Sequence, residues 1–535
     1  MKDYMKTTKY FLAIALAVLS VLSGCKKDFL EREPLGQQTD QNFYNVESNA
    51  ILAVNACYDP LSWDEGPGAN HNYEFIMGDV LSDDSEKGSM PSDFPEVTEM
   101  KEWRTTATNS VTSGLWNNVY KGIFRCNAVL LNLPAATIDE TVKNRLIGEA
   151  SFLRAYYYFH LVRVFGGVPL FDKPVSPSQF GTTPRASISD VYKLIEADLT
   201  LAATLLPQKS QYTIDDLGRA TKGAALSYKA RAIMYQIGTD NTNAHTWQEV
   251  FDLTNEIIAS GEYMLVENYA TIFEMEGENN AESVFEIQCA SNNTGWGPGK
   301  TGTTSIVFQG PRTSYGWGFN NPTQHLWDSF EDNDPRRACA IYGDGDIVHG
   351  EIITIDLAEN QTGYLSRKAH LEAAFRPSDS KDSPVNMRKF RFSDVLLMNA
   401  EAAFHIGNEG QARERVNQVR ARAKNSTKPK GSTEGGSTYD PISPDLLDGI
   451  LDPISSSVTG TALLQAIWNE RRWELAMECL RFWDLVRTGQ YLNSLPDAIR
   501  PNCQTHIING VNPIPVLPIP LNEAQTWNLE QNPGY

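Results

Sequence analysis

Arg145–Phe171 reads RLIGEASFLRAYYYFHLVRVFGGVPLF, and the rest of the chain arranges itself around this stretch. Leu146, Ala150, Leu153, Tyr157, Leu161 and Val164 recur at spacings of three and four, which places them on one face of a helix. The remaining faces are hardly more polar, since Phe152, Tyr156, Tyr158 and Phe159 fall there. A helix this apolar around its circumference is buried among other helices. Gly166-Gly167 ends it, and Pro169 prevents a restart. By composition alone, Tyr156–Phe159 could be a sugar platform. Helical periodicity on several faces reads it instead as interior packing, so Leu153 and Leu161 are core.

Working outward, the same two-helix cadence recurs. Ser48–Tyr58 reads as a helix, and Trp116–Leu133, closed by Pro134, is the partner of the opening helix. Ser189–Leu206, capped by Ser189, pairs with Ala220–Tyr235. Thr246–Ser260 follows, then Phe392–Ile406, Glu409–Ala423 and Ala462–Arg487. Ala150 and Arg154, like Ala400 and Phe404, alternate small and large residues as the second helix of a tetratricopeptide unit does. Helix pairs that bury their faces only against neighbouring pairs form a solenoid-like stack. The expected fold is mostly α, built of degenerate tetratricopeptide-like repeats with a loop-rich face and a few short strands.

The ends and the composition narrow the function. Lys2, Lys6 and Lys9 flank an apolar run from Phe11 to Leu22, followed by Leu22-Ser23-Gly24-Cys25. That is a charged n-region, a hydrophobic core of signal-peptide length and a small-residue cleavage site. The run is short of the ~20 residues a spanning helix needs. Leu-Ser-Gly-Cys resembles a bacterial lipobox, which makes Cys25 the acylated first residue of the mature chain; Lys26 behind it favours the outer membrane. Residues 1–24 are thus a signal peptide, 25–42 a tether and 43–535 one domain with inserted loops. Losing Lys2, Lys6, Lys9 and Asp3 moves the formal charge from −20 to −22. So acidic a chain has no general field for nucleic acid. Polyanionic glycans are disfavoured unless a local basic patch overrules that field. The six cysteines after Cys25 are widely scattered, and their spacing fixes no disulfide pairing.

Catalytic and metal motifs are sparse. The eight histidines form no HExxH, and there is no GxSxG. Gly295–Thr301 resembles a phosphate loop only faintly, with three residues between its outer glycines where four are needed. The following TGTTSIVF reads as strand rather than a receiving helix. Neither a cofactor nor a resident metal is expected. Asp332-Asn333-Asp334 and Asp344-Gly345-Asp346 hint at calcium but lack the closing Glu of a twelve-residue loop, and turn chemistry accounts for them. Two carboxylates meeting in space leave no sequence signature, so Asp83, Asp84 and Glu470 keep a glycosidase open.

Aromatic residues carry the remaining signal. Trp116, Trp468 and Trp473 sit at helical spacing, and Trp483 lies in an apolar run, all reading as core. Trp63, Trp103, Trp296 and Trp317 fall in Gly/Asn/Ser/Thr-rich segments about 60–110 and 282–320. Within the second, ESVFEIQ reads as a strand. Flat rings beside amides and hydroxyls suit sugars, whose C–H faces stack while their hydroxyls hydrogen-bond. The excursion at 424–458, with Gly435-Gly436 at its tip, lacks such aromatics.

Taken in order, CKKDFLEREP, QNFY, GDVLSDD, WNNVYKGIFRCNAVL and EASFLRAYYYFHLVRVFGGVPL resemble the SusD/RagB family of outer-membrane nutrient-binding lipoproteins. So do NPTQHLWDSFEDNDPRR, RFSDVLLMNAEAAF, ARERVNQVRARA, NERRWELAMECLRFWDLVRTG and the closing NPGY. The resemblance implies four degenerate tetratricopeptide units and no catalysis. It implies a surface lid over a SusC-like TonB-dependent transporter, to which oligo- or polysaccharide is handed, with the tetratricopeptide side facing that partner. Ligand contacts in the family come from loops of the N-terminal third and from the central insertion. Those regions here hold Trp63, Trp103, Asn109, Trp296, Tyr315 and Trp317, while Trp327 reads as scaffold. Peptide capture within the family, or a lipid-anchored glycosidase outside it, are the alternatives.

Overall fold

A computed structural model describes residues 40–62, 74–179, 181–293, 301–427 and 450–535. The signal peptide, Cys25 and residues 25–39 of the tether lie outside them. So do Trp63, Trp296 and residues 428–449 of the Gly/Ser-rich excursion. We label the longer helices α1 (Glu47–Tyr58), α2 (Ser110–Asn132), α3 (Glu140–Phe165), α4 (Ile188–Leu205), α5 (Lys222–Thr239) and α6 (Trp247–Ser260). They continue as α7 (Phe392–His405), α8 (Glu409–Lys424) and α9 (Gly460–Glu474).

Each helix from α2 to α6 packs against the next, α6 packs against α7, and α7 and α8 both receive α9. The mostly helical, tetratricopeptide-like stack expected from the periodicity is therefore present, and residues 261–391 leave it without interrupting it. At the centre, every residue of α3 from Gly148 to Phe165 is buried. Asp139 caps its start by accepting the N–H groups of Thr141 and Val142 at 2.9 and 3.1 Å. Gly166 ends it in the left-handed region at φ 69°, and a side chain at Gly167 would collide with the Ala186 carbonyl.

The aromatic run is interior, as read. Tyr156 donates to Glu74 (2.6 Å) and Tyr157 to the Cys57 carbonyl (2.8 Å). Tyr158 donates to the Phe171 carbonyl and accepts its N–H. Arg154 forks onto Asp198 of α4 at 2.7 Å and reaches Asn127 of α2 at 2.8 Å, so one buried cation ties three helices.

Several expectations are corrected. α2 starts six residues before Trp116, because Asn109 caps it. The cap of α4 is Ser187, not Ser189; its hydroxyl accepts the Asp190 N–H at 3.1 Å. TGTTSIVF forms a helical turn at Ser305–Gln309 rather than a strand, with the Thr303 hydroxyl accepting the Ser305 N–H. The glycine-spacing argument against a phosphate loop is unaffected.

The expected helix Ala462–Arg487 is broken between Glu474 and Arg481, where Met477 and Cys479 have φ of 58° and 64°. Tertiary bonds override helical propensity there. Asp79 accepts the Cys479 N–H at 3.0 Å, and Glu478 binds Arg391 and Lys368. Gly78 admits the turn, since a side chain there would strike Cys479.

The break belongs to a buried layer of ion pairs. Arg336 contacts Asp334, Glu470 and Glu474; Arg391 contacts Glu282, Glu474 and Glu478; Arg422 contacts Glu282 and Glu474. Burial alone would raise the Glu474 carboxyl, but Arg422, Arg391 and Arg336 hold it down at about 2.

Strands occur in antiparallel pairs. Ser283–Ile287, the strand expected in ESVFEIQ, pairs with Met387–Arg391, and Ser85–Gly88 pairs with Phe319–Pro322. These long-range pairs fasten the non-helical segments to the stack.

Candidate functional site

Two of the residues singled out from the sequence are consumed by the fold. Trp103 is only 1% exposed, its Nε1 donates to the Tyr491 hydroxyl at 2.9 Å, and its ring stacks on His506. It is a core residue in a left-handed turn (φ 53°), not a stacking platform. Asn109 accepts from Val111 and Thr112 and donates to the Glu96 carbonyl, so its amide is spent on capping α2.

Tyr315 and Trp317 sit at the edge of the insertion. Trp317 is half-buried, edge-on to Phe308 at 4.6 Å, with its N–H on the Val307 carbonyl at 2.7 Å. Tyr315 is half-buried beneath the Arg376 guanidinium (4.8 Å) and packs against Ile306, Ala369, Leu371 and Val385. Its hydroxyl is buried without a hydrogen-bond partner, and burial pushes it up to about 12.

Trp63 and Trp296 lie outside the described residues, yet one flank of each of their segments reaches a common cleft. Ser62 and Thr301, the nearest described neighbours on one flank of each segment, line the same cleft of about 410 Å³. The cleft runs between the end of α1, the turn at 215–219 and the strand edge Glu286–Ala290.

Its wall is polar and ordered. Arg219 donates to Asn55 at 3.0 Å and to Glu149 at 3.1 Å, and the Tyr58 hydroxyl accepts the Ala220 N–H at 2.9 Å. Asn279 and Gln288 exchange amide hydrogen bonds at 2.8 and 3.0 Å. Gly218, at φ 88°, leaves room for Gln288. Amides, carboxylates and one guanidinium in a cleft this open can hydrogen-bond hydroxyl-rich ligands; no nucleophile–base pair is aligned among the described lining residues.

A residue the sequence did not flag ties together Ser291, Asn292 and Gly302, on the two sides of residues 294–300. Asp382, fully buried, accepts from the Ser291 hydroxyl (3.1 Å), the Asn292 N–H (2.7 Å) and the Gly302 N–H (2.9 Å). Ala290 N–H and Thr301 O close the neck at 3.1 Å, and Asn293 accepts from Ser378. Tyr315 packs on Ile306 and Val385, a few residues beyond Gly302 and Asp382, and lies under Arg376, so it flanks this neck. The only hint in the sequence was the Ser/Asp run SDSKDS at 378–383, typical of side-chain-to-backbone turns.

The carboxylates that kept a glycosidase open are engaged. Arg481 forks onto Asp83 at 2.7 and 2.9 Å, and Arg472 binds Asp84. Burial would raise Asp83, but Arg481 and then Arg472 hold it at about 2. Glu470 lies buried between Arg336 (2.6 Å) and Arg420 (3.2 Å). Asp83, Asp84 and His325 are close enough to share a cation, but the two arginines already occupy the carboxylates. The other acidic runs serve turns: Asp334 caps a helix, while Asp344 and Asp346 accept backbone N–H groups. Among the described residues, no helix is long and apolar enough to cross a membrane.

Known proteins supply the context. Residues 281–535 match a family model described as "SusD family", and residues 28–234 match one described as "Starch-binding associating with outer membrane". A SusD-like protein of Formosa agariphila is 27% identical over 514 residues, covering 92% of this chain and 93% of that protein. The "Starch-binding protein SusD" of Bacteroides thetaiotaomicron is 25% identical over 299 residues, 52% of this chain and 51% of its own.

Among solved structures, "Surface glycan-binding protein A from Bacteroides fluxus" superposes with a TM-score of 0.74 at 27% identity, covering 92% of this chain and 100% of that one. A "Laminarin binding SusD-like protein" does so with a TM-score of 0.71 at 28% identity, covering 91% and 99%. With two matched models that leave only 1–27 and 235–280 between and before them, and with the helical stack shared, the chain belongs to the SusD/RagB family.

Proposed function

We propose that this protein is a lipid-anchored, cell-surface glycan-binding protein of the outer membrane, which captures oligo- or polysaccharide and delivers it to a SusC-like TonB-dependent transporter without catalysis. The observation that carries the reading is the convergence of the Trp63 and Trp296 flanks on one hydroxyl-compatible cleft, with Tyr315 and the Asp382 neck beside it. The names of the relatives, starch-binding and laminarin-binding, support a glycan over a peptide. The lipobox at Cys25 and the outer-membrane wording of the matched family support the location.

Two or three stacking rings at about 1 kcal/mol each, with a few hydrogen bonds, correspond to micromolar-to-millimolar affinity, which suits a protein that must release its cargo. Affinity electrophoresis against a polysaccharide panel tests this: wild type is retained, and Trp63→Ala or Trp296→Ala migrates freely. Retention by no glycan alongside binding of peptides, or sustained release of new reducing ends, would overturn it. Cys25→Ala should shift the protein from the membrane to the soluble fraction, and pull-down should recover the transporter only with the anchored form.

A further inference from the structure

α1 is the first long helix after the tether, and its last turn is fastened to α2 and α3 at two cysteines. Cys57 stands one residue from the end of α1 and Cys126 in the second half of α2, both completely buried in the same core. Two clamps set their register. Arg125 donates to the Ala56 carbonyl at 2.7 Å and to Asp59 at 2.6 Å, so the residue before Cys126 grips the residue before Cys57. Tyr157 of α3 donates to the Cys57 carbonyl at 2.8 Å. Its ring lies on Gly122, one turn before Cys126, where a Cβ would come within 2.5 Å of it.

Between these clamps the side chains of Cys126 and Cys57 meet as thiols; burial, and then that contact, raises Cys126 well above the usual thiol range. The other described cysteines fall in separate elements. Cys289 lies just past the strand Ser283–Ile287, Cys339 in the helix Pro335–Ala340, Cys479 in the break after Glu474 and Cys503 in the helix Arg500–Gln504. Spacing left every pairing open, and the packing of α1 on α2 brings this pair together. Burial also decides when it can react. Neither sulfur is open to an oxidant once α1 has docked, so exchange precedes that step.

We propose that Cys57 and Cys126 form a disulfide that staples α1 to α2, so that a pull on the lipid tether is passed into the body of the stack. The proposal rests on the extracytoplasmic location proposed above, because such bonds persist in oxidising compartments. The co-reactant is a disulfide-carrying oxidant. The thiolate of one cysteine attacks the oxidant's disulfide, forming a mixed disulfide and displacing one of its thiolates. As α1 packs, the second cysteine attacks the mixed disulfide and displaces the other. The oxidant leaves as a dithiol, with the two electrons and two protons that the pair has lost.

Mass spectrometry of the full-length protein tests the staple. Protein recovered from cells is alkylated under denaturing conditions and digested without reductant. The peptides carrying Cys57 and Cys126 are expected as one linked species, two hydrogens lighter than their sum, which separates on reduction. The same linkage is expected when reduced, unfolded full-length protein refolds with glutathione disulfide. Alkylation of both cysteines in both preparations, or linkage of either to a different cysteine, would overturn the pairing. Linkage after refolding beside alkylated thiols in the cellular protein would uphold the pairing and sink the location it draws on. Dithiothreitol should lower the melting temperature of wild type by several degrees and leave that of Cys57→Ala unchanged; an equal response in the two would also overturn the staple.

Discussion

The α3 helix and the insertion at 282–320 are both rich in aromatic residues, and composition does not tell them apart. Their hydroxyls do. Tyr156, Tyr157 and Tyr158 each have a hydrogen-bond partner inside the fold, whereas the Tyr315 hydroxyl has none. A ring whose polar tip is satisfied by its own chain is architecture. A half-buried ring whose tip has no partner, beside a clamped loop neck, is not held in that way.

Variants should divide along that line, with stability lost on the scaffold side and binding lost on the insertion side. The largest effect is expected at Glu474→Ala. It strips a shared carboxylate from Arg336, Arg391 and Arg422 and should cost about 3–5 kcal/mol in a denaturant melt. Leu153→Ala, in the centre of α3, should cost about 2–5 kcal/mol while the folded fraction retains polysaccharide normally. A Leu153 variant that melted normally and lost binding would erase the distinction between spine and insertion.

Next comes a pH effect. Burial lifts the Asp79 carboxyl from 3.8 to about 7, against the pull of its bonds from Asn320 and Cys479. The folded state therefore holds a proton that the unfolded chain has released between these values. The contribution is fully present below about pH 4 and is lost as pH rises through about 7. At about 1.4 kcal/mol per pKa unit it amounts to at most about 4 kcal/mol. Melting curves at pH 5 and pH 8 should show the decline in wild type, and Asp79→Asn should flatten it.

On the insertion side, Trp296→Ala should abolish or sharply reduce glycan retention with a melting temperature within about 2 °C of wild type, the outcome for a ring that serves a ligand. The smallest effect is expected at Tyr315→Phe. Removing an unpartnered buried hydroxyl should leave stability unchanged or raise it by up to about 1 kcal/mol, measured by urea unfolding.

Much of the scaffold was legible because its signals are local. Three- and four-residue periodicity marked α3, and Gly166 marked its end. Thr246 and Glu249 form the capping box that opens α6, where the helix was read to begin. What escaped was set by distant partners. Trp103 looked like a loop residue because Tyr491, which takes its Nε1–H, is 388 positions away. The break after Glu474 depends on Asp79 and Arg391, neither of which is near it in sequence. Asp382 shapes the loop neck through residues 80 to 91 positions upstream, so no short window could reveal it. Of the six ligand residues named from the sequence, Trp103 was claimed by such a contact and Asn109 by the local cap of α2. Tyr315 and Trp317 stayed at the edge, and Ser62 and Thr301, one flank each of the segments holding Trp63 and Trp296, line one cleft.

The departure of residues 261–391 from the stack carries one more implication. Ser283–Ile287 pairs with Met387–Arg391, and the Phe392 N–H reaches the Glu282 carbonyl at 2.8 Å, so the excursion is closed by a stem just before α7 resumes the stack. Doubling the length of a closed loop costs only about 0.6 kcal/mol. The stem thus acts as a socket: segments beyond it that make no contact with the ion layer can lengthen, shorten or be exchanged while α6 still finds α7. Retargeting such a protein to a new ligand becomes a grafting problem in which Arg336 and Lys368 must keep their hold on Glu470, Glu474 and Glu478.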